Sequence, residues 1–196
     1  MRRSTLLVCL PALVVLCCLA VMDRLTGSRR LWRAVVTGAS AGLLAAVAYD
    51  VLRLPFVFAN RLGIQRAVPA LNLFKVFPEF GALIQGQPPD QVHYSLATQL
   101  IGWAYHFSNG LTFGIMYLAL VGSAARRHWA WGILFAVALE LGMLCTPYPA
   151  FFQIPLTAKF VAVTLGVHLA FGAVMGRTAT AFETALTPPG RQEPGS

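Results

Sequence analysis

Hydrophobic residues are concentrated in five long runs along the chain. A helix of about 20 apolar residues is long enough to cross the hydrocarbon core of a bilayer. The runs therefore predict five transmembrane helices. They cover Thr5–Met22, Ala34–Leu54, Leu96–Gly122, Trp129–Phe151 and Thr157–Gly176.

Proline interrupts the apolar pattern in two places. The stretch Asn60–Gln91 contains Pro69, Pro78, Pro88 and Pro89, and its apolar pieces are too short to span a membrane. It is predicted to lie in the outer interface or to fold back over the helices. A second stretch, Thr146–Pro155, is rich in proline and aromatic residues on the same side. Both stretches are candidates to cover a cavity.

The composition agrees with a membrane protein. Hydrophobic residues make up 57% of the chain and charged residues 11%, with a mean hydropathy of +0.67. These values predict an all-α, polytopic membrane helix bundle. Residues 1–33 are expected to form an uncleaved anchor helix and a basic loop, residues 34–177 a four-helix membrane core, and residues 178–196 a disordered tail.

Arginine residues indicate the orientation of the bundle. Short cytoplasmic loops of membrane proteins carry an excess of Lys and Arg. The first loop, the third loop and the end of the last helix contain Arg24, Arg29, Arg30, Arg33, Arg126, Arg127 and Arg177. These segments and the C-terminus are therefore predicted to be cytoplasmic. The net charge of +8 fits anionic lipid headgroups as the partner, and no basic stripe with interleaved aromatics indicates nucleic acid.

One pattern occurs twice: His106 begins HFSNGLTFG and His168 begins HLAFGAVMG. Each histidine lies roughly ten residues from the outer end of its predicted helix, which is about 15 Å deep and near the midplane. Small residues spaced by four allow membrane helices to approach closely. The predicted helix-packing positions are Gly38, Gly42, Gly102, Gly110, Gly114, Gly172 and Gly176.

Two carboxylates lie within the predicted spans. Glu140 is expected near the midplane, and Asp50 about two turns closer to the outer surface. An ionised carboxylate at such depth costs several kcal/mol and normally faces a partner or a cavity. We therefore expect His106, His168 and Glu140 to form one interior site. Asp50 is expected to join it at the outer mouth or to pair locally with Arg53.

Several chemistries could use this set of side chains. Two histidines and a carboxylate are ligands of open sites for divalent transition metals. Parallel histidines at equal depth above glycines also suit a bis-histidine haem b. A third alternative is a proton relay in a small proton-coupled transporter. In the fourth alternative the histidines only form hydrogen bonds between helices of an accessory or assembly subunit, with other membrane subunits or a second copy as partner.

The order of elements in the C-terminal half resembles a known group. YHFSNGLTFGIMY, then WAWGILFAVALELGM with its Pro and aromatic cap, then GVHLAFGAVMG, are similar to small bacterial inner-membrane proteins of the YagU type. The resemblance covers roughly residues 96–177. It implies a location in the bacterial inner membrane, and it brings no established mechanism or catalytic residues to carry over to this chain.

Overall fold

The computed structural model describes residues 21–25, 27 and 30–186 and contains no strand in these ranges. A short helical piece at 21–25 precedes six helices. These are α1 (Arg30–Val57), α2 (Val76–Ile84), α3 (Leu96–Val121), α4 (Trp131–Leu144), α5 (Tyr148–Phe151) and α6 (Ala158–Leu186), with a 3₁₀ turn at Ala124–Arg126. The protein is thus all-α, as predicted. The first predicted span lies almost entirely outside the described residues.

Two helices are long and apolar enough to cross a membrane, namely Leu31–Val57 and Ala158–Leu186. The predicted fourth span, Trp129–Phe151, is wrong as a single helix. It consists of α4, with 14 residues, followed after a turn by the one-turn helix α5. Pro147 explains the break, because proline has no backbone N–H and disfavours a helical conformation in the residue before it.

Helix α1 lies at the centre of the bundle and packs against both α3 and α6. α4 packs against α6 on one side, and α2 packs against α3 on the other. Gly38 near the start of α1 lies beside Gly114 near the end of α3, so these two helices are antiparallel. The start of α4 likewise meets the second half of α6, where Gly132 contacts Gly176.

Local sequence signals set the ends of α3. Ser95 is the N-cap, and its hydroxyl accepts a hydrogen bond from the Thr98 backbone N–H at 3.1 Å. At the other end, Gly122 adopts φ +80°, which glycine tolerates better than other residues. These two residues give α3 a defined start and stop.

Helix α6 is longer than the sequence pattern indicated. Residues 178–186 are helical, so the predicted disordered tail is wrong for this segment, and residues 187–196 lie outside the description. Tertiary contacts explain the extension. Glu183 accepts hydrogen bonds from the Ser123 hydroxyl and the Ala125 N–H, both at 3.0 Å, and Phe182 packs against the buried core.

The bundle is apolar outside and partly polar inside. From Val35 to Leu54, both included, eight large aliphatic side chains of α1 are exposed, and Val51 among them is 55% exposed. By contrast, several polar or charged side chains in the helices are buried. They are Thr37, Asp50, Arg53, Glu79, Thr98, Glu140 and Thr164. This distribution is the reverse of that in a typical water-soluble domain.

Candidate functional site

The glycines of α3 bring its backbone against α1. A Cβ atom at Gly38 would lie 2.7 Å from the Gly114 carbonyl oxygen, and one at Gly42 would clash with the Gly110 carbonyl oxygen. Nearer the start of α3, Gly102 meets the backbone of Phe77 in α2. Only glycine permits backbones to approach this closely.

The glycines of α6 make the corresponding contact with α4. Gly172 faces the backbone of Gly132 and Ile133, and Gly176 faces the backbone of Trp129 and Gly132. The space beside both glycine ladders is therefore filled by a neighbouring helix. Each ladder serves one helix pair, α1 with α3 and α4 with α6.

Each histidine lies close to a carboxylate on the helix that its own glycines contact. In the first pair, His106 Nε2 lies 2.9 Å from Asp50 Oδ2. Arg53 Nη1 lies 3.3 Å from the other oxygen, Oδ1, so Asp50 has a partner on each side. The Arg53 guanidinium is buried against the rings of Tyr49, Phe74 and Phe77, at 4.8 to 5.1 Å from their centroids. Arginine neutralises this carboxylate in a low-dielectric, aromatic setting.

The second pair has no such cation. His168 Nδ1 lies 3.1 Å from Glu140 Oε2 and 2.9 Å from the Thr164 carbonyl oxygen. The carbonyl can only accept, and the hydrogen-bonding geometry favours it, so the Nδ1 hydrogen points to Thr164. Glu140 is fully buried, and among the described residues neither of its oxygens has a hydrogen-bond partner.

Tyr49 connects the two pairs. Its ring makes an edge contact with His168, with the centroids 4.9 Å apart, and lies 6.2 Å from the ring of His106. Tyr49 is adjacent to Asp50 in the chain. Sequence reasoning did not include Tyr49 in the site, because a tyrosine in an apolar helix resembles an ordinary core residue.

Asp50 lies at the level of His106, so its predicted position two turns nearer the outer surface is wrong. The prediction counted residues from assumed helix ends in a common plane. The glycine contacts instead fix the register of α1 against α3. Helix α1 also begins four residues earlier than expected, at Arg30, so the helix ends do not lie in a common plane. The local pair between Asp50 and Arg53 is confirmed.

An internal repeat underlies the two pairs. Gly42–Asp50 reads GLLAAVAYD and Gly132–Glu140 reads GILFAVALE, with five of nine positions identical. Each segment places a glycine at the close helix contact and, eight positions later, a carboxylate opposite a histidine. Sequence reasoning saw the histidine half of this repeat and missed the carboxylate half, which a self-comparison of the chain would have found.

The repeat also defines where the two units differ. Arg53 stands three positions after Asp50, and Met143 stands three positions after Glu140. Asp50 therefore has a cation three positions later in the same helix, whereas Glu140 has a thioether at the corresponding position. The asymmetry identifies the pair of Glu140 and His168 as the one that lacks a positive charge.

The described residues do not include three His, Cys, Asp or Glu side chains that converge as metal ligands. His106 and His168 are instead distributed over two separate carboxylate pairs, with Tyr49 in contact with both imidazoles. Helix backbones occupy the space beside the glycines that a haem ring would need. This arrangement gives no added support to the haem alternative.

Comparison with known proteins adds no assignment. No protein-family model matches the chain, and no curated protein or solved structure matches it.

Proposed function

We propose that the chain is a multi-pass membrane protein with a proton-binding site in the interior of its bundle. The reversed distribution of polar and apolar side chains supports the membrane location, since lipid-facing surfaces are apolar and intramembrane charges face inward. The arginine-rich ends of α1, α3 and α6 lie at one end of the bundle, as the positive-inside rule requires of a cytoplasmic face.

The proton-binding site is the pair of Glu140 and His168. With Glu140 ionised and His168 neutral, the pair carries one buried negative charge that no described cation in direct contact offsets. Such a charge is costly in a low-dielectric interior. One added proton on Glu140, beside His168, removes it. The unpartnered and fully buried carboxylate of Glu140 is the observation that carries this proposal.

The first pair has a different role in this proposal. Arg53 already balances Asp50, so the pair of Asp50 and His106 needs no extra proton to become neutral. In this proposal it is the half of the repeat whose protonation does not change. The ring of Tyr49, in contact with both imidazoles, lies between the two pairs and separates them.

A metal ion is a second candidate for the same place. His168 Nδ1 and Glu140 Oε2 are 3.1 Å apart, a separation suited to two ligands of one divalent ion once Nδ1 gives up its hydrogen and its contact with the Thr164 carbonyl. The ion would need further ligands from water or from a partner. Metal analysis of the purified protein distinguishes the two candidates, because a stoichiometric metal that disappears in His168→Ala favours the metal.

Proton movement in liposomes tests the proposal. The full chain is reconstituted with a pH-sensitive dye inside, and a potassium diffusion potential drives proton entry. We expect flux above that of empty liposomes, and we expect Glu140→Gln and His168→Gln to abolish it. His128→Gln, at the arginine-rich end, is the matched control and should retain the flux. Equal flux in Glu140→Gln and the unmodified protein would refute a proton relay.

The cellular setting is a further part of the proposal. The resemblance to YagU-type proteins supports a bacterial inner membrane, and the arginine distribution supports a cytoplasmic C-terminus. The lipid bilayer is the partner that the apolar exterior requires. If the chain proves to carry neither protons nor metal, the accessory-subunit alternative with hydrogen-bonding histidines takes its place.

A further inference from the structure

A cleft of about 660 Å³ opens at the end of the bundle opposite the arginine-rich end. It lies among the first turns of α2, the segment before α3, and the residues that follow α5. Its polar lining includes Lys75, Glu79, Asp90, Tyr94 and Gln153. Phe74, Phe151 and Phe152 supply aromatic walls. The cleft is separate from the two histidine pairs.

Glu79 is the unusual member of this lining. The residue is only 4% exposed, and its Oε2 atom has no hydrogen-bond partner among the described residues. Its other oxygen, Oε1, lies 3.6 Å from Lys75 Nζ, which is a loose ion pair. A buried carboxylate oxygen without a donor is costly, so the site favours a ligand that brings N–H groups.

Lys75 also forms a hydrogen bond outside its ion pair with Glu79. Its ammonium donates a hydrogen bond to the Phe152 carbonyl oxygen at 3.0 Å, which ties α2 to the segment after α5. The next residue, Gln153, has φ +49°, a left-handed conformation that non-glycine residues rarely adopt. Such strain is concentrated at functional sites, and here it lies in the wall of the cleft.

The charges of the cleft favour a cation. Lys75 contributes one positive charge, whereas Glu79 and Asp90 contribute two negative charges. Aromatic walls add attraction for a cationic group. Burial raises the pKa of Glu79 above its ordinary value, although the nearby Lys75 acts in the opposite direction. A bound ammonium group would therefore also favour the ionised form of Glu79.

We propose that this cleft binds a solute or lipid headgroup through a primary ammonium group, which donates hydrogen bonds to Glu79 and lies against the aromatic walls. The inference is independent of the proton-binding site, because it uses none of the residues of either histidine pair.

Binding of ethanolamine to the purified full chain in detergent tests the proposal by calorimetry. Ethanolamine has N–H donors, whereas choline has the same charge and none. We expect ethanolamine to bind and choline to bind at least about tenfold more weakly. Equal affinity for the two would overturn recognition through N–H groups. Affinity for ethanolamine should rise with pH as Glu79 ionises.

Two substitutions with opposite effects strengthen the test. Glu79→Gln should weaken ethanolamine binding about tenfold or more, since it removes the charged acceptor. Lys75→Met removes the competing ammonium and should tighten binding. Asp90→Asn, at an exposed position of the same cleft, is the matched control with a smaller loss. A loss in Asp90→Asn as large as in Glu79→Gln, or weaker binding in Lys75→Met, would contradict the assignment.

The source of the ammonium group is resolved by lipid composition. The chain is placed in nanodiscs of phosphatidylcholine with or without phosphatidylethanolamine, and ethanolamine binding is measured again. A lipid headgroup as ligand predicts that phosphatidylethanolamine blocks ethanolamine binding, and a soluble amine predicts unchanged binding. The absence of ethanolamine binding in both detergent and phosphatidylcholine nanodiscs would overturn the proposal.

Discussion

At the residue scale, the two interior carboxylates have opposite surroundings. Asp50 contacts His106 on one side and Arg53 on the other. Glu140 has His168 as a close neighbour but no hydrogen bond among the described residues. A buried ion pair that loses one partner leaves the other charge uncompensated. Removing the charge of a carboxylate that has no hydrogen bond should cost much less stability. The same chemical change should therefore have unequal consequences at the two positions.

We predict that Asp50→Asn lowers the free energy of unfolding by roughly 3–5 kcal/mol, because Arg53 stays buried without its counter-charge. Glu140→Gln should cost less than about 1 kcal/mol, since it replaces an unpartnered charge with a neutral group of similar shape. Thermal unfolding of both variants in the same detergent measures the difference. Similar losses in the two variants would show that Glu140 is as well paired as Asp50.

At the scale of elements, helix contacts through glycine set which histidine meets which carboxylate. His106 meets Asp50 because Gly110 lies against Gly42, and His168 meets Glu140 because Gly172 lies against Gly132. The spacing between glycine and histidine is four residues on one helix. It is eight residues between glycine and carboxylate on the other.

Two glycines of α6 distinguish the effect of a close helix contact from the general effect of replacing a glycine within a helix. A Cβ atom at Gly172 would lie 2.6 Å from the Ile133 Cα, whereas Gly166 on the same helix has no atom within 4 Å of that position. We predict that Gly172→Leu lowers stability by about 1–3 kcal/mol or more through overpacking. Gly166→Leu should be tolerated. Thermal unfolding in detergent is the measurement, and equal stability of the two variants would contradict the contact.

The sequence was sufficient for the helical class, for the two long apolar helices and for the glycines that could approach a neighbour. It was insufficient for the pairing of side chains. Apolar run length does not fix where a helix begins, so the depth of Asp50 was misplaced. Hydropathy also continued through Thr146–Pro147, where the backbone turns. Which carboxylate faces which histidine depends on helix neighbours, which only the three-dimensional packing establishes.

At the scale of the whole molecule, the repeat explains the architecture. Each unit has a carboxylate helix, a proline-containing segment with a short helix, and a histidine helix. The units are α1–α3 and α4–α6, and both run in the same direction. They are thus related as parallel repeats, about an axis along the bundle rather than across it. The first unit contains the cation Arg53, and the second unit contains the unbalanced carboxylate.

Cysteine labelling tests the proposed orientation of this assembly. The four natural cysteines are replaced by serine, and one cysteine is introduced at a time. We predict that Gln87→Cys, in the segment between α2 and α3, reacts with an impermeant reagent on intact cells. Arg127→Cys, at the arginine-rich end, should react only after permeabilisation. The reverse pattern would invert the orientation, and labelling of both positions in intact cells would refute a membrane-spanning arrangement.

The central claim is that Glu140 and His168 share one exchangeable proton in the interior of the bundle while Asp50 does not. Infrared difference spectroscopy of the full chain in lipid, between acidic and alkaline pH, measures it most directly through the C=O stretch of protonated buried carboxyl groups. The account predicts a band that is absent in Glu140→Gln, altered in His168→Gln and retained in Asp50→Asn. A band that disappears in Asp50→Asn and persists in Glu140→Gln would contradict it.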